Sequence, residues 1–420
     1  MSDALAPARA RAGTAAVFFL NGFAYASWVP RLAEVKLALA LGEAELGLAL
    51  LGVALGALAA MVAAGILATR VGSRATSTAA LVLFAPAAVM IALAPGFGTL
   101  FVAFLAVGAT AGALDVAMNS QGVAVERQYG RPIMSSLHGM FSLGAMTGAV
   151  AAGLFAGAGL ALLPHLAVVA AATVVLGVAG CACMLPARLD VGAGGPAFAW
   201  PNRAVLPLGL IGFGALLTEG AVGDWSAVYL HESLGSGTGN AAIAFAAFSL
   251  TMAIGRFAGD RLVARFGGVA VARAGGLVGA LGLTLCLLIG HPAAAIMGFA
   301  LVGAGISCTF PIALSAAARM PGLPAGTAIA AVCTIGYLGF LVGPPTIGLA
   351  AEVLGLPLAL GLLVGLLAAI ALFGGRAGLG CSNATRPSRE VRSDGVTSQR
   401  KLLEDLGAAL SSRRSPSSRW

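Results

Sequence analysis

Residues 75–114 contain no Lys, Arg, Asp or Glu, and neither do 132–187 or 274–318. These uncharged runs limit the fold more than any other feature of the chain. A helix crosses the hydrocarbon of a bilayer in about 20 apolar residues, so each run is long enough for two crossings and too long for one buried helix. Inside hydrocarbon every backbone N–H and C=O needs a partner within the chain, which leaves helices or closed barrels. The runs lack an alternation of period two, and this excludes a barrel. Composition agrees: 59% of residues are hydrophobic and 10% charged, against about a quarter charged in ordinary soluble domains. With 60 Gly and 6% aromatic residues, the helices expected are small-residue ones that pack backbone to backbone.

Between charges, Pro and Gly, the apolar segments fall near 12–30, 44–68, 75–94, 97–124, 132–157, 161–185, 204–230, 240–264, 269–289, 293–318, 326–350 and 354–373. This predicts an all-α membrane protein with twelve transmembrane helices. The first segment follows Arg9 and Arg11 and imitates a signal peptide, but cleavage near "AYAS" would discard a stretch rich in polar side chains that has an echo later. It is kept as span one. With the N-terminus in the cytoplasm, twelve arginines fall in inner segments and only Arg31 and Lys36 in outer ones, the positive-inside pattern. Both termini are then cytoplasmic, in a bacterial inner membrane. The net charge of +8 reflects this placement, and nine Lys and Arg within 374–420, rather than a nucleic-acid partner. Cys181, Cys183, Cys286, Cys308 and Cys333 sit in apolar runs without a paired CxxC, as small hydrophobes rather than metal ligands or disulfides.

A Pro-, Gly- and charge-containing stretch at 186–203 separates two sets of six spans. The expected organisation is an N-terminal segment 1–11, a first half 12–185, a linker 186–203, a second half 204–373 and a Ser- and Arg-rich tail 374–420, disordered but for a short helix at 401–410 at most. A sequon at 383–385 would face the cytoplasm and carry no sugar. The halves repeat. "RVG" at 70–72 returns as "RFG" at 265–267, and Gly108, Gly144, Gly148 and Gly153 return as Gly303, Gly339, Gly343 and Gly348, all offset by 195. "ASW" at 26–28 meets "GDW" at 223–225 at an offset of 197. Several matches in corresponding spans indicate a repeated unit, as in two parallel six-helix halves.

"GILATRVGSR", 65–74, resembles the loop between spans two and three of the major facilitator superfamily, G-x-L-A-D-R-x-G-R-K. Thr69 stands in place of the acid and Ser73 in place of the first basic residue. "DVAMNSQGVAVERQYGRPIMSSLHGMFSLG", 115–144, and "EGAVGDWSAVYL", 219–230, are similar to the branch of that superfamily containing the rhizopine-cluster membrane protein, and more distantly to fucose permease. The resemblance implies a twelve-helix transporter without a cofactor. Asp115 matches the fourth-helix carboxylate of fucose permeases, whereas the first helix offers Asn21 in place of theirs.

The polar residues inside the spans carry the chemistry. A charge at membrane depth costs about 2.5–3.5 kcal/mol on insertion scales and faces a cavity or a partner. Asp115 is therefore expected to face inward, with Asn119 one turn on and on the same face; the alternative for Asn119 is a packing hydrogen bond. Span seven holds Glu219 and Asp224, with Trp225 beside the second. Asp115, Glu219 and Asp224 are the candidates for binding and releasing a proton, Glu219 first among them. For Asp224 and Trp225 the alternative is an interfacial pair in the aromatic belt. Asn21, Tyr25 and Trp28, at i, i+4 and i+7, share one side of span one and suit a hydroxylated solute, as does Trp225; a packing stripe has the same spacing. Arg256 and Asp260, at i and i+4, and Glu126 with Arg127, are expected ion pairs of an inward gate that also includes Arg70. His138 is either a proton shuttle or a satisfied interior histidine.

No P-loop, HExxH or paired Cys/His cluster is present, so neither an enzyme nor an ATP-driven pump is expected. The reading is a monomeric secondary transporter that moves a small hydroxylated organic solute by proton-coupled symport. Proton-driven efflux of drugs or metabolites is the alternative, though Ala149 stands where the antiporter pattern of span five has Pro. A non-transporting membrane sensor of the same fold is the third possibility.

Overall fold

The computed structural model describes residues 5–130, 133–190, 200 and 203–375, which lie in one compact unit. The tail with its expected short helix, the sequon and most of the linker fall outside the described residues. Among those described there is no strand. Twelve helices are long and apolar enough to cross a membrane: α1 Pro7–Ala38, α2 Glu43–Val71, α3 Ser73–Leu93, α4 Phe97–Tyr129, α5 Met134–Gly157, α6 Leu162–Cys183, α7 Leu206–Ser233, α8 Gly239–Phe266, α9 Gly268–Ile289, α10 Pro292–Ala318, α11 Gly326–Leu354 and α12 Leu356–Phe373. Each answers to one apolar segment of the sequence. The turns after α2, α4, α8 and α10 lie with the linker at one end of the bundle, here the linker end; those after α1, α3, α5, α7, α9 and α11 form the opposite end.

Three spans depart from simple helices. One is α7, which ends in a π-helical turn, Tyr229–Ser233. Past Trp28, α1 continues through a 3-10 turn, Val29–Arg31, into a further α-helical stretch, Leu32–Ala38, where Pro30 and the charges suggested a loop. Most of this stretch is buried: Val29 and Leu32 are 0% exposed and Lys36 only 7%, while Leu37 and Ala38 at its end are exposed. The third departure is α10, whose α-helix stops at Ile306 and restarts at Thr309. At that break the Cys308 thiol donates to the Gly255 carbonyl of α8 at 3.4 Å.

Glycine sets the helix contacts, and it does so twice. A Cβ on Gly108 of α4 would lie 1.9 Å from the Val53 carbonyl oxygen of α2, and one on Gly303 of α10 would lie 2.4 Å from the Phe248 carbonyl oxygen of α8. The two glycines are 195 apart and so are the two carbonyls. A Cβ on Gly144 of α5 would lie 1.9 Å from the Phe19 carbonyl oxygen, and one on Gly339 of α11 would lie 2.5 Å from that of Phe213. The sequence repeat is thus a repeat of backbone-to-backbone contacts, and the fold is two pseudo-equivalent six-helix halves.

The buried apolar side chains gather into three clusters. One draws only on the first half, from Ala10 and Phe18 of α1 to Met118 and Val125 of α4 and Leu137 of α5. A second draws only on the second half, from Leu208 of α7 to Ile312, Ala317 and Val332 of α10 and α11. Both lie toward the linker end. The third and largest spans the halves near the opposite end, joining Trp28, Leu32 and Leu46 to Trp225, Leu230, Phe299 and Ile347. Burial of apolar area holds the halves together there, while toward the linker end each half keeps its own core. The bundle is sealed at the opposite end.

Candidate functional site

α4 carries Asp115 at mid-length, behind the long uncharged stretch that begins at residue 75. Asn119, one turn on, donates through Nδ2 to Asp115 Oδ1 at 3.0 Å and to the Asp115 carbonyl at 2.8 Å. From the other half, Tyr337 Oη on α11 faces Asp115 Oδ2 at 3.5 Å. Both partners are neutral, so the carboxylate has hydrogen-bond donors but no counter-charge among the described residues. Asn21 of α1 is 5% exposed and directs Nδ2 at the Met118 sulfur, 3.6 Å away. That is a weak partner for an amide and leaves most of its bonding capacity unused.

Glu219 of α7 is differently placed. Arg256 of α8 brings Nη2 to 3.1 and 3.2 Å from its two carboxylate oxygens. Nη1 of the same guanidinium donates to Ser142 Oγ on α5 at 2.7 Å, so Arg256 bridges the second half to the first. The local spacing pointed Arg256 at Asp260; the structure pairs it with Glu219, because the guanidinium turns into the bundle while Asp260 lies exposed and accepts from Ser135 Oγ at 3.3 Å. His138 lies within electrostatic reach of Arg256. Ser142 and Tyr337, the two residues through which the carboxylate clusters cross between halves, are themselves 195 apart, at equivalent points of α5 and α11.

Around this seam the aromatic residues separate. Tyr25 is half-buried and within electrostatic reach of Asp224 and Glu219. Trp28 packs edge-on to Tyr25 at 5.2 Å and against Phe104 at 5.4 Å. Trp28 and Trp225 are 1% and 0% exposed, and neither indole N–H has an acceptor. They belong to the apolar seal rather than to a lipid-facing belt. Asp224, 5% exposed, has no hydrogen-bond partner among the described residues.

Among the described residues, Arg70 and Glu126 near the linker end are not paired with each other. Arg70 is exposed and has no partner among the described residues. Glu126 does not close on its neighbour Arg127; its Oε2 accepts from the Ile133 and Met134 backbone N–H groups at 2.7 and 3.1 Å and so caps the start of α5. Arg127 is exposed on the last turn of α4. An ion pair that crosses between halves lies at the opposite end, where buried Lys36 meets Glu232 of α7 at 2.5 Å, and within the first half Lys36 also meets Glu43 at 3.0 Å. Nearby Arg31 pairs with Glu34 and donates to His165 Nδ1 at 3.2 Å. Tyr337, Ser142 and the Lys36 cluster escape a reading of the sequence, since their partners lie on distant spans; the one available signal was Tyr337 as one of four tyrosines, alone in an apolar run. Among the described residues no group of three His, Cys, Asp or Glu is placed to hold a metal ion.

A membrane bundle of two repeated halves, sealed at one end and holding carboxylates from both halves at mid-depth on their seam, has the construction of a transporter. The chain belongs to the Major Facilitator Superfamily, whose family model matches residues 14–344. It is a multi-pass membrane transporter and not an enzyme. It is 37% identical over 364 residues to an uncharacterised transporter of this type from Yersinia pestis, covering 85% of this chain and 93% of that one. It is 35% identical over 354 residues to the membrane protein MosC of Rhizobium meliloti, covering 82% and 84%. Among solved structures, the nucleoside transporter NupG superposes with a TM-score of 0.67 at 14% identity, over 90% of this chain and 99% of that one. A bacterial homologue of the human lysosomal transporter Spinster, inward-facing and occupied, gives 0.69 at 15% identity over 88% and 96%. At these identities the two structures speak for the fold alone.

Proposed function

We propose that the protein is a proton-coupled symporter of the bacterial inner membrane, which takes up a small hydroxylated organic solute by alternating access at the seam between its halves. Asp115 carries the reading. It is a carboxylate at mid-depth with only neutral donors around it, touched from the opposite half by Tyr337. An unpaired charge at this depth is costly, and a proton is the simplest counter-charge. Glu219 already has Arg256, so it acts as a charge-paired switch rather than as the first proton carrier. A solute whose hydroxyls engage Asn21, Asn119 and Tyr25 completes the partly unsatisfied polar groups of the seam. The likeness in fold to a transporter of nucleosides, which are themselves hydroxylated, is compatible with this solute class.

With the seal at the opposite end, the solute reaches the site from the linker end in the state described. Placing that end in the cytoplasm makes this the inward-facing state. The test begins with a thermal-shift screen of sugars, polyols, nucleosides and amino acids on the purified protein. Uptake of the stabilising solute is then measured in vesicles with and without an imposed pH gradient. Asp115→Asn is expected to abolish accumulation against the gradient and to retain exchange down it, because the amide oxygen still accepts from Asn119 and its NH2 can donate to the Tyr337 hydroxyl, but the side chain carries no titratable proton. Accumulation by Asp115→Asn equal to that of the unmodified protein overturns the assignment.

A further inference from the structure

We propose that a groove on the flank of the first half, separate from the seam, binds one anionic phospholipid of the surrounding membrane. In this site the lipid phosphate sits on Arg74 and one acyl chain lies along α3. The groove has a volume of about 730 Å³, and its lining includes Arg74, Ala75, Ala79, Leu83, Pro186 and Ala187. Apart from Arg74 and one threonine, every lining residue is apolar. That threonine, Thr78, already donates its hydroxyl to the Arg74 carbonyl at 2.9 Å.

Arg74 is the feature that requires an anion. It is only partly exposed, and no carboxylate partners it among the described residues, whereas Arg31, Lys36 and Arg256 each have one. A guanidinium in an apolar surrounding is unfavourable until an anion satisfies it, and phosphate matches its fork of donors. Depth identifies the source of that phosphate. Arg74 is the second residue of α3, at the end of a membrane span, where headgroups lie. From there to Leu83 the helix rises about 13 Å toward the bilayer centre, and Val82 and Leu83 are 40% and 58% exposed on this flank. An anion joined to a chain running parallel to the helix fits a glycerophospholipid, while free phosphate would occupy Arg74 and leave the apolar length unfilled. Basic groups at this level attract anionic lipids.

The test uses the full chain in detergent, with phosphatidylglycerol, phosphatidylcholine of the same chains, or inorganic phosphate added. Bound lipid is counted by native mass spectrometry and stability followed by thermal shift. Phosphatidylglycerol is expected to stay bound as one copy and to raise the melting temperature, with phosphatidylcholine and inorganic phosphate giving neither effect. Arg74→Gln is expected to remove the preference for the anionic lipid. Ala79→Trp, at an exposed position that leaves the fold intact, is expected to fill the groove and expel the chain. Persistence of one bound phosphatidylglycerol in both variants overturns the proposal, as does a full thermal shift from inorganic phosphate alone. If Arg74→Gln does not fold, retention of the lipid by Ala79→Trp is decisive against it.

Discussion

The two carboxylates on the seam look alike in the sequence and differ in the structure through a single neighbour. Asp115 and Asn119 were legible because a helix brings i and i+4 together without help from the rest of the fold. Arg256 was not, since the same rule offered it Asp260, and only the crossing of α7 and α8 gives it Glu219. Removing one member of a buried ion pair leaves the other charge stranded and costs about 3–5 kcal/mol, less where water reaches it. Arg256→Gln alone is therefore expected to lower the melting temperature more than Arg256→Gln combined with Glu219→Gln. A double-mutant cycle by thermal denaturation reads the coupling directly; additive losses would mean that the pair does not act as a unit. Tyr337→Phe removes one hydroxyl from Asp115 and keeps the ring. A hydrogen bond of this kind is worth about 0.5–1.5 kcal/mol, so solute affinity should fall by up to about tenfold, with normal expression. A change in expression without a change in affinity would assign Tyr337 to packing.

At the level of helices, the spacing of glycines was visible in the chain, but their work was not. Gly47 of α2 and Gly348 of α11 show this best. A Cβ on Gly47 would stand 2.6 Å from the Pro344 carbonyl oxygen, and one on Gly348 would stand 2.6 Å from that of Glu43. The two helices therefore touch through backbone near the opposite end, beside Lys36 and Glu43. Backbone cannot yield as a side-chain tip can. Gly348→Leu should prevent this end from closing while leaving each half its own core. The expected result is folded protein without transport, in which a cysteine placed at buried Ser27 becomes reactive to an impermeant maleimide added from the opposite side. Unchanged protection of that cysteine would show that the seal does not depend on this contact. The extension of α1 through Ala38 was hidden for a related reason. Pro30, Arg31 and Lys36 have the character of a loop until Glu34, His165, Glu43 and Glu232 supply the partners that let them be buried.

For the molecule as a whole, the count of spans and the two-fold repeat were legible because they rest on hydropathy and on a fixed offset, which do not need tertiary partners. The state of the bundle was not legible, since the sequence contains both ends of a transport cycle and the structure holds one of them. Orientation in the membrane joins the two. Arg9, Arg11, Arg70, Arg74, Arg127, Arg188, Arg261, Arg265, Arg273 and Arg319 all lie at or near the linker end. The two basic residues assigned to the opposite end, Arg31 and Lys36, are 3% and 7% exposed and ion-paired within the helices. Removing them from the tally of loop charges sharpens the asymmetry, because the rule acts on loop Lys and Arg flanking the spans. The linker end should then face the cytoplasm, and the sealed end the outside. In sealed cells an impermeant maleimide is expected to label a single cysteine introduced at Gly96 or Gly237, where a side chain meets nothing within 4 Å. One introduced at exposed Gln128, on the last turn of α4, should label only after the membrane is permeabilised. The reverse pattern would turn the bundle over, make the described state outward-open, and with it require that solute enter the seam from outside the cell.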